Sequence, residues 1–278
     1  MKKKVAFVSD FFSNDLLGGA ENNDENLINS LSSTCDVKKF YSKSITPEDL
    51  SQVDSVIVSN YVTLNSESYS YIIHEKQYMI YEHDHKYVST RDPSVFHDFL
   101  APSSNIVNKE FYERATHVVV LSDICKKVLL RNIKKANVHS IGCSLWSNAT
   151  FGELRQNCLI QKNRDLCIMK SLNPTKNYHK TIKYCNDNSL QYEEISSPVY
   201  KDFLLQLAQY KRFLFIPKVL ETYSRICAEA KMMNVDVMTN KKMIGFFSEP
   251  YSNLKGEDLI DCIEDKNRSA YEFFARNI

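Results

Sequence analysis

Glycine is scarce in this chain of 278 residues: there are six, and two of them are adjacent, at Gly18-Gly19. That scarcity excludes collagen-like and glycine-rich low-complexity architectures. Residues 8–21 hold no Gly-x-Gly-x-x-Gly loop, which argues against a dinucleotide-dependent oxidoreductase. Long apolar runs are missing too, since no stretch approaches the ~18 apolar residues that span a bilayer. The basic start Met1-Lys2-Lys3-Lys4 leads into a short apolar run with no small-residue cleavage site, so it reads as a first strand and not a signal peptide. A net field is absent as well. With 35 Lys+Arg against 34 Asp+Glu the formal charge is +1, and any anion site must come from local clustering. The eight cysteines form no Cys-x-x-Cys pair and read as reduced thiols of a cytosolic protein, with structural disulfides as the minority alternative.

What is present is the make-up of a globular protein: 43% hydrophobic, 25% charged, 16 Tyr and 15 Phe. Short β-branched and aromatic runs alternate with longer helical patterns, the signature of parallel α/β units. Strands are expected at 5–11, 36–41, 54–59, 78–82, 116–121 and 138–141. A helix is expected at 20–32, another from Ser122-Asp123 to about residue 133, and a third starting at Asp92-Pro93, Asp as cap and Pro in the first turn. A polar stretch with weak periodicity follows to about residue 164. A second series then runs strand 165–170, helix 176–187, strand 191–195, helix 199–209, strand 212–216, helix 224–233, strand 235–239 and a final helix 256–275. The expected organisation is α/β with two Rossmann-like domains, 1–150 and 151–278, the C-terminal helix crossing back to the first.

Four places carry chemistry. Gly18-Gly19-Ala20-Glu21 lies between the first strand and first helix, where glycine lets a ligand approach the backbone and a helix start favours an anion. Met169-Lys170-Ser171-Leu172-Asn173-Pro174-Thr175-Lys176-Asn177 follows the first strand of the second half, and its two lysines can neutralise a diphosphate without a metal ion. Glu221-Thr222-Tyr223-Ser224-Arg225 opens the next site-bearing helix, with Ser224 placed as its cap and Glu229 more than a turn inside. Glu221 suits sugar hydroxyls, Glu229 a ribose diol, and the N–H groups near Ser224 and Arg225 a phosphate. Tyr81-Glu82-His83-Asp84-His85-Lys86 ends a first-half strand. Its His-x-His pair has metal-ligand chemistry, but no third ligand is identifiable, so no metal site is assigned. Arg91 follows nearby, and its reading as a plain surface arginine stands equally.

These residues resemble the family 4 retaining glycosyltransferases, whose GT-B fold sets two Rossmann-like domains across a central cleft. The family has a Gly-Gly loop after strand one, a basic pair six apart and a Glu-x7-Glu motif, matched in order by Gly18-Gly19, Lys170 with Lys176, and Glu221 with Glu229. The family's Gly-Arg is Met169-Lys170 here, the Gly after the second basic residue is Asn177, and Thr-Tyr-Ser replaces glycines after Glu221. The resemblance implies a nucleoside diphosphate sugar as donor and transfer to a hydroxyl acceptor with retention. It also implies that His83 or His85 lies near the transferred sugar. The chain has no Asp-x-Asp motif, so no obligatory metal or other cofactor is expected.

Catalysis is then expected to rest on Lys170, Lys176, Glu221, His83 and His85. Donor binding is expected at Gly18, Gly19, Lys170, Lys176, Glu221, Thr222, Tyr223, Ser224, Arg225 and Glu229, with Ser196 to Val199 near the base. Loops 60–75, 86–105 and 195–200 are expected to read base, sugar and acceptor, the acceptor being a glycan, lipid-linked or other hydroxyl compound. Lys127, Arg131, Lys134 and Lys135 form a basic stripe within residues 124–137. That stripe reads as a solvated face or as a contact for an anionic membrane surface or nucleic acid. Two alternatives stand beside the main reading: a glycosyltransferase for a modified base in DNA, and a noncatalytic GT-B-like binding subunit.

Overall fold

The computed structural model describes residues 2–16 and 18–278. The chain divides into two compact units, Met1–Trp146 with Lys266–Ile278, and Ser147–Asp265.

In the first unit the strands are β1 (Lys4–Ser9), β2 (Asp36–Tyr41), β3 (Ser55–Val58), β4 (Tyr78–Glu82), β5 (His117–Val120) and β6 (Val138–Ser140), in the order β2-β1-β3-β4-β5-β6. All neighbours are parallel. A parallel sheet is covered on both faces, so its central strands are apolar without alternation. β3 and β4 are accordingly buried at every residue. Edge strand β2, Asp-Val-Lys-Lys-Phe-Tyr, is largely exposed, and its lysines discourage pairing with another chain. Helices α1 (Gly19–Leu31), α2 (Pro47–Ser51), α3 (Ser66–Glu75), α4 (Lys109–Arg114) and α5 (Asp123–Asn132) connect them.

The second unit has β7 (Arg164–Met169), β8 (Glu193–Ile195), β9 (Tyr210–Leu214) and β10 (Asp236–Met238), all parallel, in the order β10-β9-β7-β8. Its helices are α6 (Asn148–Cys158), α7 (Tyr178–Asp187), α8 (Tyr200–Leu207), α9 (Arg225–Met232) and α10 (Gly256–Asn277). Leu166, Ile168, Cys185 and Leu214 form one apolar cluster of its core. Arg155 of α6 fixes the start of α10, 2.5 Å from Asp261 Oδ1 and 2.8 Å from Glu264 Oε2. From Lys266 onward the helix belongs to the first unit. There Trp146 N–H donates to Asn267 Oδ1 at 2.8 Å, and the Phe273 ring stacks on His139 at 3.6 Å.

Several expectations need correction. The helix expected from Asp92-Pro93 is only a 3₁₀ turn, Pro93–Val95. Asp92 does accept from Ser94 N, but Phe96 is extended and Asp98 and Phe99 are left-handed, so the turn cannot propagate. Residues 66–75, expected as loop, are α3, capped by the Asn65 side chain on Ser68 N. The polar stretch to residue 164 contains α6, capped by Ser147 on Thr150 N. The helix expected from 176 starts at Tyr178, after a 3₁₀ turn over Pro174–Lys176. No described helix is long and apolar enough to cross a membrane.

Candidate active site

In the second sheet the chain passes from β7 outward to β8, then returns past β7 to β9 and β10. Connections leaving β7 and β9 therefore diverge to opposite faces, and the carboxyl ends of these two strands flank the switch point where open α/β sheets bind ligands. The loop after β7 carries Lys170 and Lys176, and the loop after β9 carries Glu221. They meet: Lys218 N–H donates to Thr175 O at 3.0 Å, and Lys176 Nζ lies 2.7 Å from Glu221 Oε1. The side chains of this pair keep 29% and 11% of their surface exposed, so an incoming ligand can reach both.

Local sequence explains the geometry. Asn173 accepts from Thr175 N at 2.9 Å and Pro174 opens the turn, while Asn177 closes it at φ 56°. Asparagine is the non-glycine residue that best tolerates a left-handed backbone, which is why it can stand where the resembled family has glycine. Lys170 does not join the pair. Its Nζ lies 3.4 Å from Glu194 Oε2 on β8. A hydrogen bond from Tyr178, with the Lys170 charge, holds the Glu194 carboxyl below its ordinary range. The two lysines expected to flank one diphosphate thus rest on different carboxylates.

Glu221 sits on a rigid loop, its N–H donating to Met243 O and its carbonyl accepting from Gly245 N. Tyr223 is a core residue and not a ligand-facing one, with its hydroxyl 2.8 Å from that of Tyr251, its ring edge-on to Phe246 and its carbonyl accepting from Phe246 N. Thr222 is half-buried beside it. Ser224 differs from the expected cap. It holds the cap position at φ 68° and makes no side-chain cap bond, leaving the first N–H groups of α9 without that partner. Burial pushes the Cys227 thiol beneath it up to about 12.

Glu229 is buried, with its Oε1 2.5 Å from the Tyr200 hydroxyl and 3.5 Å from Arg225 Nε. Burial, with the Glu229 charge beside it, pushes the Tyr200 phenol well above its ordinary value. Tyr200 escaped the sequence reading. Its only signal was position, directly after the Ser196 to Val199 segment and at the start of α8; the residue keeps 36% of its surface exposed while its hydroxyl turns inward to Glu229.

The first unit resolves its expected residues differently. Gly18 has an extended backbone and Gly19 begins α1, so neither needs a positive φ. A Cβ on Gly18 would collide with the Glu21 carboxylate. The Glu21 carboxylate, bonded to its own N–H, occupies the helix start where an anion was expected. Burial raises its pKa, and nearby Asp24 adds to the rise. His83 is buried with Nε2 3.0 Å from Asp24 Oδ1, a carboxylate that also takes Ser59 Oγ at 2.8 Å and Ser9 Oγ at 3.3 Å. His85, left-handed at φ 58°, places Nδ1 3.0 Å from the Tyr87 hydroxyl. Both imidazoles are thus tied to interior side chains, His83 to Asp24 and His85 to Tyr87. No group of three or more His, Cys, Asp or Glu among the described residues converges as metal ligands do. Arg91 pairs with Asp84 and stays half-exposed. Lys127, Arg131, Lys134 and Lys135 are all exposed, but the single helical stripe expected over residues 124–137 is not formed: α5 ends at Asn132, where Ile133 leaves helical geometry, so only Lys127 and Arg131 lie on the helix.

Among solved structures the chain matches Anabaena HepE in complex with UDP and glucose, with a TM-score of 0.53, 12% identity, and coverage of 99% of this chain and 92% of that one. It also matches an alpha-glucosyltransferase in complex with UDP and a 13-mer DNA containing an HMU base, with a TM-score of 0.51, 10% identity, and coverage of 98% and 95%. This is the GT-B fold. No family model and no curated protein matches the sequence, so at these identities the likeness is one of fold.

Proposed function

We propose that the protein transfers a glycosyl group from a nucleoside diphosphate sugar to a hydroxyl acceptor, with retention and without an obligatory metal. The carrying observation is the Lys176–Glu221 pair at the switch point of the second sheet. A carboxylate and an ammonium in contact are the two groups needed where a sugar joins a diphosphate. When the donor enters, Lys176 exchanges Glu221 for a phosphate oxygen, and Glu221 is released to accept hydrogen bonds from sugar hydroxyls.

The start of α9 at Ser224, which carries no side-chain cap, turns the positive end of a helix toward the diphosphate side. Lys170 reaches it by leaving Glu194, an exchange between exposed groups that costs little. Glu229 is held by Tyr200 and Arg225 in a fixed orientation, and takes the ribose diol as Tyr200 gives way. Charge on the leaving diphosphate is what these groups stabilise. The acceptor attacks from the face the nucleotide leaves, and a donor phosphate oxygen takes its proton, so no protein nucleophile is assigned.

HepE was solved with UDP-glucose, which makes uridine diphosphate the first ligand to try. A ligand at a hundred times its Kd stabilises the fold by about 2.7 kcal/mol. Millimolar UDP, GDP, ADP, CDP and TDP should include at least one that raises Tm, and Lys176→Ala should clearly reduce the rise. A flat response to the whole set would defeat the donor assignment. Hydrolysis of the matching nucleotide sugar without acceptor then separates an enzyme from a noncatalytic binding subunit. The exposed basic residues between Lys127 and Lys135 favour one second reading, a DNA acceptor, whose signature is binding to duplex that falls steeply with salt.

A further inference from the structure

Within the first unit a cavity of about 260 Å3 opens where the loops leave the carboxyl ends of β3 and β4. Its wall includes Tyr61, Tyr69, Lys86, Ser89, Arg91 and Asn108. None of the expected catalytic or donor residues lines it.

The floor is rigid and aromatic. Phe111 is fully buried, and against it pack Tyr69, stacked at 4.7 Å, and Tyr61, tilted at 5.0 Å. The far wall is fixed by backbone bonds, Val107 N–H to Tyr87 O and Ser89 N–H to Asn105 O, both 2.9 Å. Arg91 and Asn108 both hold left-handed backbones, at φ 53° and 55°. Such conformations in non-glycine residues cluster where side chains must be aimed at a ligand. The cavity is thus formed before anything binds.

Its charges cancel. The Lys86 ammonium has three donors and three acceptors: Asp84 Oδ1 at 2.7 Å, Glu82 Oε1 at 2.9 Å and Asn60 Oδ1 at 3.3 Å. Arg91 pairs with Asp84. Two carboxylates oppose two cations, the ammonium has no donor left, and an anionic ligand would have to displace Asp84 from Arg91. Ser89 Oγ accepts from Asn105 Nδ2 at 2.9 Å and Asn108 Nδ2 donates to Lys86 O at 3.0 Å, so what remains for a ligand is the Ser89 O–H, the Asn108 Oδ1 and the outer N–H groups of the charge-paired Arg91, above an aromatic floor. That combination suits a ring with C–H faces and hydroxyl edges. The volume falls just below the ~300–1,000 Å3 of sites for drug-sized ligands, so it accommodates a single ring.

We infer that this cavity binds one uncharged sugar ring and is the subsite for the terminal residue of a neutral glycan acceptor. The acceptor role rests on the glycosyltransferase reading; the binding of a sugar ring does not.

The test is saturation-transfer NMR on the full chain, with methyl glycosides of glucose, galactose, mannose and N-acetylglucosamine set against the 6-phosphates of the same sugars. At least one neutral glycoside should receive saturation, and Tyr69→Ala and Asn108→Gly should each weaken its binding by about fivefold or more, the loss of one good contact. Asn108→Gly keeps the left-handed backbone, so it answers even if removing the Tyr69 ring disturbs folding. The inference is overturned if no neutral glycoside is saturated, if the phosphates are saturated more strongly, or if binding survives both variants. UDP titration in parallel separates the two readings. Glycoside binding without UDP binding removes the donor assignment and leaves the sugar cavity, whereas UDP binding without glycoside binding removes the cavity alone.

Discussion

Both sheets reverse strand order beside their first strand, and the two switch points are furnished in opposite ways. In the first sheet the point lies between β1 and β3. Asp10 fills it, accepting from Val62 N, Thr63 N, Thr63 Oγ1 and Ser42 Oγ, while Glu21 covers the start of α1. In the second sheet the point lies between β7 and β9, where Lys176 and Glu221 hold each other with part of their surface open and α9 begins without a side-chain cap. One switch point is satisfied by the chain's own carboxylates. The other holds a pair that a ligand can exchange. Topology alone nominates both positions, and the chemistry of the side chains separates them.

That contrast can be broken in several ways. The largest effect is expected from Lys176→Ala, which removes a charge-assisted contact worth about 1.5–3 kcal/mol and so should weaken UDP binding by about 10- to 100-fold in calorimetry. An unchanged affinity would put both switch points on the same structural footing.

Asp10→Ala should act on stability instead. It removes the acceptor of four donors, of which only Ser42 is buried while Val62 and Thr63 can turn to water, so the cost should be about 0.5–1.5 kcal/mol, read as a lower denaturant midpoint with UDP affinity intact. Burial alone would raise the Asp10 pKa, but the Ser42 and Thr63 hydroxyls and the Thr63 and Val62 N–H groups bring it below 3.8. Its contribution is therefore complete above the unfolded value and disappears as pH falls through the folded one. A loss of nucleotide binding in this variant would mean that the first switch point carries ligand after all.

Tyr200→Phe sharpens the picture within the second unit. It keeps the ring and removes the hydroxyl from Glu229, so UDP affinity should change by about tenfold at most, the worth of one hydrogen bond. Inorganic pyrophosphate, which has no ribose, should bind this variant as it binds the parent. Equal losses for both ligands would place Tyr200 on the diphosphate side.

The smallest effect concerns His139 of the first unit. Burial, with Lys126 and His117 nearby, holds its pKa below 6.5. The folded state binds its proton less readily than the unfolded one, so stability should decline slightly as pH drops below the ordinary histidine value. His139→Gln should flatten that slope in a pH series of Tm values.

The sequence made the strands legible because parallel strands buried on both faces are continuous apolar runs, and β1, β3, β4, β5 and β7 all appeared near their observed places. Glu221 and Glu229 were legible because a strand, a proline and a helix surround them. Helix α3 was missed since Ser66-Glu67-Ser68-Tyr69-Ser70 looks like loop, and only Asn65, as a cap, marks it. Helix α6 was hidden by Asn148 and Gly152, with Ser147 as its quiet signal. Asp24 escaped for a different reason: it faces inward from a helix whose sequence, Glu21-Asn22-Asn23-Asp24-Glu25-Asn26, reads as solvent-facing. Its partners Ser9, Ser59 and His83 come from three strand ends, so only the folded sheet assembles them. The separation of Lys170 from Lys176 was equally unreadable, because it depends on Glu194 arriving from β8.

The helix that begins in the second unit and ends in the first has a consequence for how the chain is made. Phe273, Phe274 and Asn267 supply packing and hydrogen bonds to β4, β6 and Trp146, yet they are translated after every residue of the second unit. Domains generally fold in order of synthesis, N-terminal first. Here the ribosome delivers the first sheet early and its last buried side chains more than a hundred residues later. The first unit is thus started before the second and completed after it, and a nascent chain carrying both sheets still presents an unfinished surface beside Tyr81 and His139.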